Sequence, residues 1–253
     1  MRSLEDRLGI TSAELRVAAA ELAPELANVD FDALDRAAQE QAADLSAAYQ
    51  FERSQVIEAC RNDLNFLAPV AMPDTFESNF PPVLLLVWQL VTEELAKEYR
   101  CFPKLALGIP RGHAKTTIVK LLIVYIILFT KRQYILILSS IESHAVNIIR
   151  DVITMLEEPN IVTTFGSWKA GVEINQADQK KFFFQGRAII LHGVGALGKV
   201  RGTNLGNARP DVMIFEDVQT REAAQSEVQS RAIEGWMYAT AMKAKSPHGC
   251  LYL

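Results

Sequence analysis

The segment LALGIPRGHAKTTIVKLLIVYIILF, residues 105–129, decides the fold because it joins two apolar stretches through a short polar loop. LALGI has the length and composition of a buried strand, and IVKLLIVYIILF has those of a buried helix. The loop is similar to the phosphate-binding pattern G-x-x-x-x-G-K-[ST], but Ile109 and Ala114 stand where its two glycines belong. The segment is therefore either a degenerate loop that no longer binds nucleotide or a specialised one.

Phosphate binding makes three demands on such a loop. Backbone N–H groups must point inward at the start of a helix, a lysine must reach the β- and γ-phosphates, and a hydroxyl must face Mg²⁺. The sequence KTT at 115–117 opens the helix and supplies the lysine and the hydroxyl, whereas Gly108 and Gly112 are displaced from their usual places. The alternative is an ordinary strand–helix connection that contains glycine and proline and ends in a lysine.

A second motif, RPDVMIFEDV at residues 209–218, ends an apolar strand in two carboxylates. An ATPase needs such a strand, because one carboxylate holds Mg²⁺ directly or through water and the next polarises the attacking water. Glu216 and Asp217 stand in the reverse of the usual Asp-Glu order, and Glu216 is one methylene longer, so it can reach the metal without moving the strand. The alternative is a solvated strand end. A position about a hundred residues after the lysine loop favours an ATP site.

From residue 104 onward, short apolar stretches alternate with longer helical ones. This alternation predicts an α/β fold with a mainly parallel central sheet flanked by helices. Together with the two motifs, the pattern resembles that of a P-loop NTPase of the recombinase/ASCE-like type. KFFFQGRAIILHGV predicts a hairpin that turns at Gln185 and Gly186. The other predicted strands are KLALGI, QYILILSS, DVMIFEDV and GCLYL, and the predicted helices are VLLLVWQLVTEELAKEYR, KTTIVKLLIVYIILF, ESHAVNIIRDVITMLEE and SEVQSRAIEGWMYATAM.

The first part of the chain has a different pattern. Residues 1–67 are rich in Ala, Leu, Glu, Asp and Arg with apolar residues at helical spacing, which predicts a helical N-terminal segment or lid. Pro24 and the sequence around Asp30 predict breaks between short helices. Residues 68–82 contain four prolines and are predicted to be a linker, which leaves residues 83–253 as the ATPase core. Because the chain stops inside the apolar run CLYL, we expect it to be a fragment of a longer protein.

Composition limits the class of protein. The 253 residues are 49% hydrophobic and 22% charged, which is typical of a globular protein with a substantial core. The longest uncharged apolar run, residues 121–129, is too short to cross a bilayer, and no signal-peptide pattern opens the chain. The three cysteines, Cys60, Cys101 and Cys250, are too widely spaced for a zinc pattern or a disulfide framework, which indicates a reducing cytosol.

Charge is distributed unevenly along the chain. Residues 1–98 have a net charge of −11 and residues 99–253 a net charge of +7, which together give −4. The basic part is the better candidate for contact with an anionic partner such as nucleic acid. A charge-balanced protein in two parts, without any nucleic-acid role, would have the same distribution.

Taken together, the motifs resemble those of one family, the large subunit of the tailed-bacteriophage terminase, the ATP-driven motor that packages DNA. PRGHAKTT resembles the family's loop, in which an arginine stands near the start and the first glycine is often missing. ILILSSIESHAVNIIRDV resembles its next strand and helix, and GVGALGKVRGTNLGNARPDVMIFEDVQ resembles its glycine-rich loop and carboxylate strand. The resemblance covers residues 80–253 and implies a specialised loop rather than a degenerate one.

The resemblance implies a role for each matching residue. Lys115 contacts the β- and γ-phosphates of ATP, Thr116 ligates Mg²⁺, and Arg111 approaches the γ-phosphate from within the loop. Glu216 holds the metal and Asp217 is the catalytic carboxylate, although the Glu-Asp order departs from the family's more frequent Asp-Glu or Asp-Asp. The residues implied to bind the nucleotide are Pro110, Arg111, Gly112, His113, Ala114, Lys115, Thr116 and Thr117.

Three further residues are weaker candidates. Arg201 is the first choice for a finger that reaches the γ-phosphate of a neighbouring subunit, and Arg209 is the second. A solvated loop arginine accounts for either of them equally well. Gln89, just after Trp88, is placed to read the adenine edge, but a glutamine on a helix surface accounts for it better.

The same resemblance implies cofactors, partners and a location. The cofactors are ATP and Mg²⁺, and the partners are double-stranded DNA, the portal protein and the small terminase subunit, without a membrane. The protein is expected to be a monomer in solution and a pentameric homo-oligomeric ring on the procapsid. Its location is the host cytoplasm and, transiently, the portal vertex, but not the mature virion. The family's nuclease domain, with its acidic two-metal centre, is not in this sequence, so nuclease activity is expected only in the full-length protein.

Two other functions stay open at this point. A helicase-like P-loop ATPase that depends on nucleic acid needs a second recombinase-like lobe, which a chain of 253 residues cannot hold. A non-catalytic nucleotide-binding module would tolerate the loss of Asp217, so a hydrolysis assay distinguishes it from a motor.

Overall fold

The computed structural model describes residues 31–76, 78–97, 102–108, 112–198, 200 and 208–253. The chain divides between Val56 and Ile57 into two units. Helix α1, Phe31–Asn62, contains this boundary and is far longer than the short helices predicted there. No glycine or proline interrupts these 32 residues, so nothing in the backbone chemistry ends the helix earlier. The predicted break at Pro24 lies outside the described residues.

The second unit contains a six-stranded sheet with the strand order β2-β3-β4-β1-β5-β6. Strands β4, β1, β5 and β6 are parallel, whereas β2 and β3 extend the sheet in antiparallel fashion. The strands are β1 (Tyr134–Ser139), β2 (Val172–Asn175), β3 (Gln179–Phe184), β4 (Arg187–Gly195), β5 (Val212–Glu216) and β6 (Leu251–Tyr252). The prediction of an α/β fold with a mainly parallel sheet flanked by helices is confirmed.

The helices of this unit are α2 (Leu64–Ala71), α3 (Pro82–Ala96), α4 (Lys115–Phe129), α5 (Glu142–Glu157), α6 (Pro159–Phe165), α7 (Arg221–Gln225) and α8 (Glu227–Trp236), and α8 continues into a π-helical turn, Met237–Ala241. Helix α4 has the predicted bounds. Its ten apolar and aromatic residues between Ile118 and Leu128 are buried, because the helix lies between the sheet and other helices. Among the described residues, no helix combines the length and apolar character that a bilayer span requires.

Helix α2 extends into the segment predicted to be a linker. Four apolar residues of this helix, Leu64, Leu67, Ala68 and Ala71, are buried. Pro69 lies inside the helix, where it removes one backbone hydrogen bond. Burial of its apolar face therefore stabilises helix α2 despite Pro69. The other three prolines, at 73, 81 and 82, fall at the turn after α2 and at the start of α3.

The predicted hairpin and the predicted strand before the loop have different outcomes. Gln185 and Gly186 have φ angles of 48° and 79°, as a tight hairpin turn requires, so the turn between β3 and β4 is confirmed. The strand predicted over KLALGI is wrong in extent. Among the described residues of this stretch, 104–108, only Lys104 forms a bridge, to Tyr252, and Ile109 lies outside the described residues.

Contacts at the amino edge of the sheet hold α4 in place. The Arg187 guanidinium donates hydrogen bonds to the carbonyls of Ile126 and Ile127 in the last turn of α4. The Asp211 carboxylate accepts from the backbone N–H groups of Gln133 and Tyr134, at 2.8 and 3.0 Å, and ties the start of β5 to that of β1. The Arg187 contacts attach the last turn of α4 to the start of β4.

A buried histidine gives the fold a pH dependence. Burial lowers the pKa of His192 below its ordinary value of 6.5. The negative charge of Asp178 raises the same pKa, but its effect is smaller. His192 Nδ1 lies within hydrogen-bond distance, 2.9 Å, of the Tyr134 hydroxyl. A depressed pKa means that the stabilisation is present above about pH 6.5 and is lost as the pH falls further.

We therefore expect the melting temperature of the protein to fall between about pH 7.5 and about pH 5.5, as His192 becomes charged. His192→Gln keeps an acceptor for Tyr134 but does not titrate, so its melting temperature should change less over this interval. Thermal unfolding of both proteins followed by circular dichroism measures the difference. Equal slopes would show that other groups cause the pH dependence.

Candidate functional site

The loop before α4 has a backbone shaped to face an anion. Gly112 and Ala114 both have left-handed conformations, with φ angles of 80° and 54°. Such turns point successive N–H groups into one concavity. Ala114 occupies the position of the missing pattern glycine and adopts a conformation that is easiest for glycine, at a cost of roughly 1 kcal/mol. In the described part of the chain, no side chain caps this helix start.

The two sequence motifs meet at the start of α4. Lys115 Nζ lies 2.6 Å from Asp217 Oδ1, and the Thr116 hydroxyl donates a 2.8 Å hydrogen bond to Glu216 Oε1. The acids are at the carboxyl end of β5, and Glu216 is 8% exposed. The structure thus brings together four of the predicted site residues, although each pair is about a hundred positions from the other.

The two contacts differ in strength. The side chains of Lys115 and Asp217 are 31% and 68% exposed, and such an ion pair contributes at most about 1 kcal/mol. The bond between Thr116 and the buried Glu216 involves an ionised acceptor, for which about 1.5–3 kcal/mol is typical. Lys115 can therefore exchange its partner easily, whereas Thr116 and Glu216 are held in place.

The acid pair is also fixed by its neighbour in the sheet. Ser139 is the last residue of β1 and is in register with Glu216. The Ser140 N–H donates to the Asp217 carbonyl at 3.1 Å, and Asp217 has a left-handed φ of 46°. Asp and Asn tolerate this conformation better than other residues with a side chain. The backbone of Asp217 is thus placed by β1 as well as by β5.

A polar cleft separates the first turns of α4 and α5, and we call it the α4–α5 cleft. It has a volume of about 200 Å³ and opens beside the two carboxylates. Gly193 and Gly195 on β4 let α5 pack closely on the sheet beside the cleft, because a Cβ at either would approach α5 to 3.0 or 2.9 Å. The polar side chains that line the cleft, besides the carboxylates, are Thr116, Lys120, Ser139, His144, Asn147 and Asp151. An ion pair of 2.7 Å between Lys120 and Asp151 joins its two helices.

A second cavity lies on the other side of Lys115. It has a volume of about 430 Å³ and extends between the 104–107 segment, α4, β5 and the π-helical turn. Its walls are mainly apolar, with Phe215, Met237 and Tyr252 among them, and Lys115 and Asp217 form its polar end. The phosphate-binding candidates therefore stand between a polar cleft and an apolar cavity.

The other predicted residues have different positions. Thr117 faces a separate cavity with Asp74 and Thr154, away from the carboxylates. The Gln89 side chain donates to Glu93 at 2.8 Å on the exposed face of α3, and it lines neither of the two cavities beside Lys115. Arg209 is exposed at the amino end of β5, a strand length from Glu216, so within one chain the structure does not bring it to the site.

Some predictions cannot be placed on the structure. Pro110, Arg111 and Arg201 lie outside the described residues, so their roles stay predictions. Gly112 and His113 are exposed in the loop. Among the described residues, no group of three or more His, Cys, Asp or Glu side chains can hold a metal ion. A cation bound here would therefore need oxygen ligands from the Thr116 hydroxyl, Glu216, phosphate and water.

Comparisons with known proteins add no family to this geometry. No protein-family model matches the chain, and no curated protein matches it. The contacts of Lys115 and Thr116 with the acid pair, together with the motifs of the sequence, are the basis for assigning a function.

Proposed function

We propose that this chain is a Mg²⁺-dependent ATPase. The observation that carries the proposal is the contact between Lys115–Thr116 at the start of α4 and Glu216–Asp217 at the end of β5. Open α/β sheets bind ligands at the carboxyl ends of their strands, which is where these four residues meet. A lysine, a hydroxyl and two carboxylates are the groups that transfer of a phosphoryl group to water requires.

The start of α4 fits the phosphates of a nucleotide. Helix α4 is 15 residues long, so its N-terminus carries a partial positive charge that favours anions. The left-handed residues Gly112 and Ala114 direct N–H groups toward the same place. Lys115 exchanges a weak ion pair with Asp217 for charge-assisted hydrogen bonds to phosphate oxygens. The partner exchange leaves Asp217 available to act on water.

Thr116 and Glu216 fit a magnesium ion. Their oxygens are hard ligands of the kind that Mg²⁺ prefers, and the 2.8 Å bond between them means that both face one point. When bound, Mg²⁺ neutralises charge on the phosphate oxygens. Asp217, beside Glu216 but more exposed, is then the residue that accepts the proton of the attacking water. This division of roles follows the contacts: Thr116 bonds to Glu216, and Lys115 to Asp217.

We further propose that ATP hydrolysis drives the movement of double-stranded DNA, as in a packaging motor of the terminase type. The order and spacing of the motifs over residues 80–253 support this assignment, as does the mostly parallel sheet that displays them. The portal protein, the small subunit and a ring of copies, with Arg201 or Arg209 as an intersubunit finger, belong to the same proposal. DNA contacts are expected from the basic part of the chain, residues 99–253.

We expect the purified chain to release phosphate from ATP slowly, only with a divalent cation, and faster per molecule at higher protein concentration. An arginine supplied by a neighbouring copy acts only in an assembly, and it is worth roughly 10³-fold or more in rate. Phosphate release measured over a hundredfold range of protein concentration, with and without EDTA, tests both points. Binding of ATP without hydrolysis at every concentration would instead indicate a non-catalytic module.

A further inference from the structure

Ser139 is a nearly buried polar residue that the ATPase proposal does not use. It is 1% exposed, and its carbonyl accepts a hydrogen bond from the Ala196 N–H. Within the described part of the chain, its hydroxyl has no hydrogen-bond partner. Leu136 and Leu138 of the same strand pack into the core on the opposite face of the sheet, so Ser139 faces the α4–α5 cleft.

In the described part of the chain, the buried side-chain atom without a hydrogen-bond partner is Trp168 Nε1 and not the Ser139 hydroxyl. The Ser139 hydroxyl therefore reaches the cleft, where a polar group without a protein partner requires another hydrogen-bonding molecule. The cleft offers water as the partner. A water molecule takes about 30 Å³, so a volume of about 200 Å³ has room for several. The polar side chains around this space, Ser139, Asn147 and His144, can each hold such a molecule.

The charges around the cleft determine whether an anion or a cation is favoured among these water molecules. Glu216 and Asp217 stand at the mouth of the cleft. Asp151 pairs with the Lys120 ammonium and Asp217 with Lys115, which leaves Glu216 without an ion pair among the described residues. The remaining field is negative, so an anion is disfavoured and a cation is favoured. The cleft adjoins the pair Thr116 and Glu216, which are the candidate ligands of Mg²⁺, and Mg²⁺ usually keeps several of its waters when a protein binds it.

We propose that the α4–α5 cleft holds the water shell of the divalent cation, and that Ser139 and Asn147 are positioning residues that hydrogen-bond to its water ligands. The inference rests on the proposed ATPase function, since it concerns the same cation. It adds two residues to the site, one from the end of β1 and one from α5. Outer-shell partners of this kind typically change metal affinity by about 10- to 100-fold when they are removed.

Binding of Mn²⁺, measured from the electron paramagnetic resonance signal of the free ion in the presence of a non-hydrolysable ATP analogue, tests the proposal. Ser139→Ala should weaken Mn²⁺ binding about 10-fold, and Asn147→Ala should weaken it in the same direction. Ser139→Thr keeps the hydroxyl and should bind Mn²⁺ like the wild type. Thr154→Ala, a change on α5 in a different cavity, is the matched control and should leave the affinity unchanged.

The melting temperature without metal distinguishes a role of Ser139 in metal binding from a role in stabilising the fold. Without metal, Ser139→Ala should melt at the same temperature as the wild type or higher, because it removes a hydroxyl that has no partner among the described residues. A lower melting temperature would overturn the proposal, and so would wild-type Mn²⁺ affinity in Ser139→Ala while Glu216→Gln binds Mn²⁺ more weakly. If Glu216→Gln also binds Mn²⁺ normally, the metal site of the proposed ATPase is itself wrong.

Discussion

We expect Lys115→Ala to remove nearly all of the proposed ATP hydrolysis and to weaken ATP binding, while the protein stays folded. The Lys115 ammonium stands at the first residue of α4, where the helix start and the loop before it favour an anion. Without it, the charge that develops on the phosphate oxygens loses a charge-assisted donor. Removal of one such electrostatic contact typically lowers the rate by about 10²–10³-fold.

The fold should tolerate this change because of where Lys115 lies. Its ion pair with Asp217 is partly exposed and contributes at most about 1 kcal/mol to the free energy of unfolding. Lys169→Ala is a matched control, since Lys169 forms an ion pair of 3.2 Å with Glu157 at the surface and is far from the carboxylates in the sequence. Phosphate release and binding of a fluorescent ATP analogue, measured on both variants, give the comparison. Wild-type turnover in Lys115→Ala would refute the assignment of the loop.

The sequence predicts those elements whose apolar pattern is strong and local. Helix α4 has the predicted bounds because a nearly continuous apolar run extends from the end of the loop to Phe129. The hairpin turn is predictable because Gln185-Gly186 joins two apolar runs. The structure confirms the turn, since both residues have positive φ angles. The acid pair at the end of β5 is predictable because the apolar run of this strand stops abruptly at two carboxylates, which marks the sheet edge.

Elements that depend on distant partners are missed or overestimated. Strand β2 and helix α6 lie in residues 159–175, where the local pattern gives no prediction, and β2 exists because it pairs with β3. The strand predicted before the loop is overestimated, since among the described residues 104–108 only Lys104 pairs, through a bridge to Tyr252. A local apolar pattern cannot show whether a neighbouring strand is available for pairing.

The sequence predicts the residue types of the candidate site, but it does not predict the α4–α5 cleft beside them. The motifs name the lysine, the hydroxyl and the acids, and the structure adds which pairs touch. The cleft beside them is missed, although two signals for it exist in the sequence. Ser139 ends an otherwise apolar strand, and His144, Asn147 and Asp151 follow one another at helical spacing. Neither pattern can be linked to the acid pair from sequence alone, because the link depends on the register that pairs Ser139 with Glu216.

Asp217→Asn should leave ATP and Mg²⁺ bound but lower hydrolysis by about 10²–10⁴-fold, because it removes a proton acceptor and keeps the shape of the side chain. Asparagine also tolerates the left-handed backbone at this position, so the change adds no strain. Nucleotide affinity should stay equal or rise, since the variant loses a negative charge that competes with phosphate for Lys115.

The neighbouring acid supplies the decisive comparison for this prediction. Glu216→Gln should raise the concentration of Mg²⁺ needed for half-maximal activity, because Glu216 faces Thr116 and is the proposed metal ligand. Titration of hydrolysis with Mg²⁺, together with binding of a fluorescent ATP analogue, measures both variants side by side. If the two phenotypes come out exchanged, the roles are reversed and Asp217 is the metal residue. The observed contacts favour the stated order, because the Thr116 hydroxyl bonds to Glu216 and the ammonium beside it bonds to Asp217.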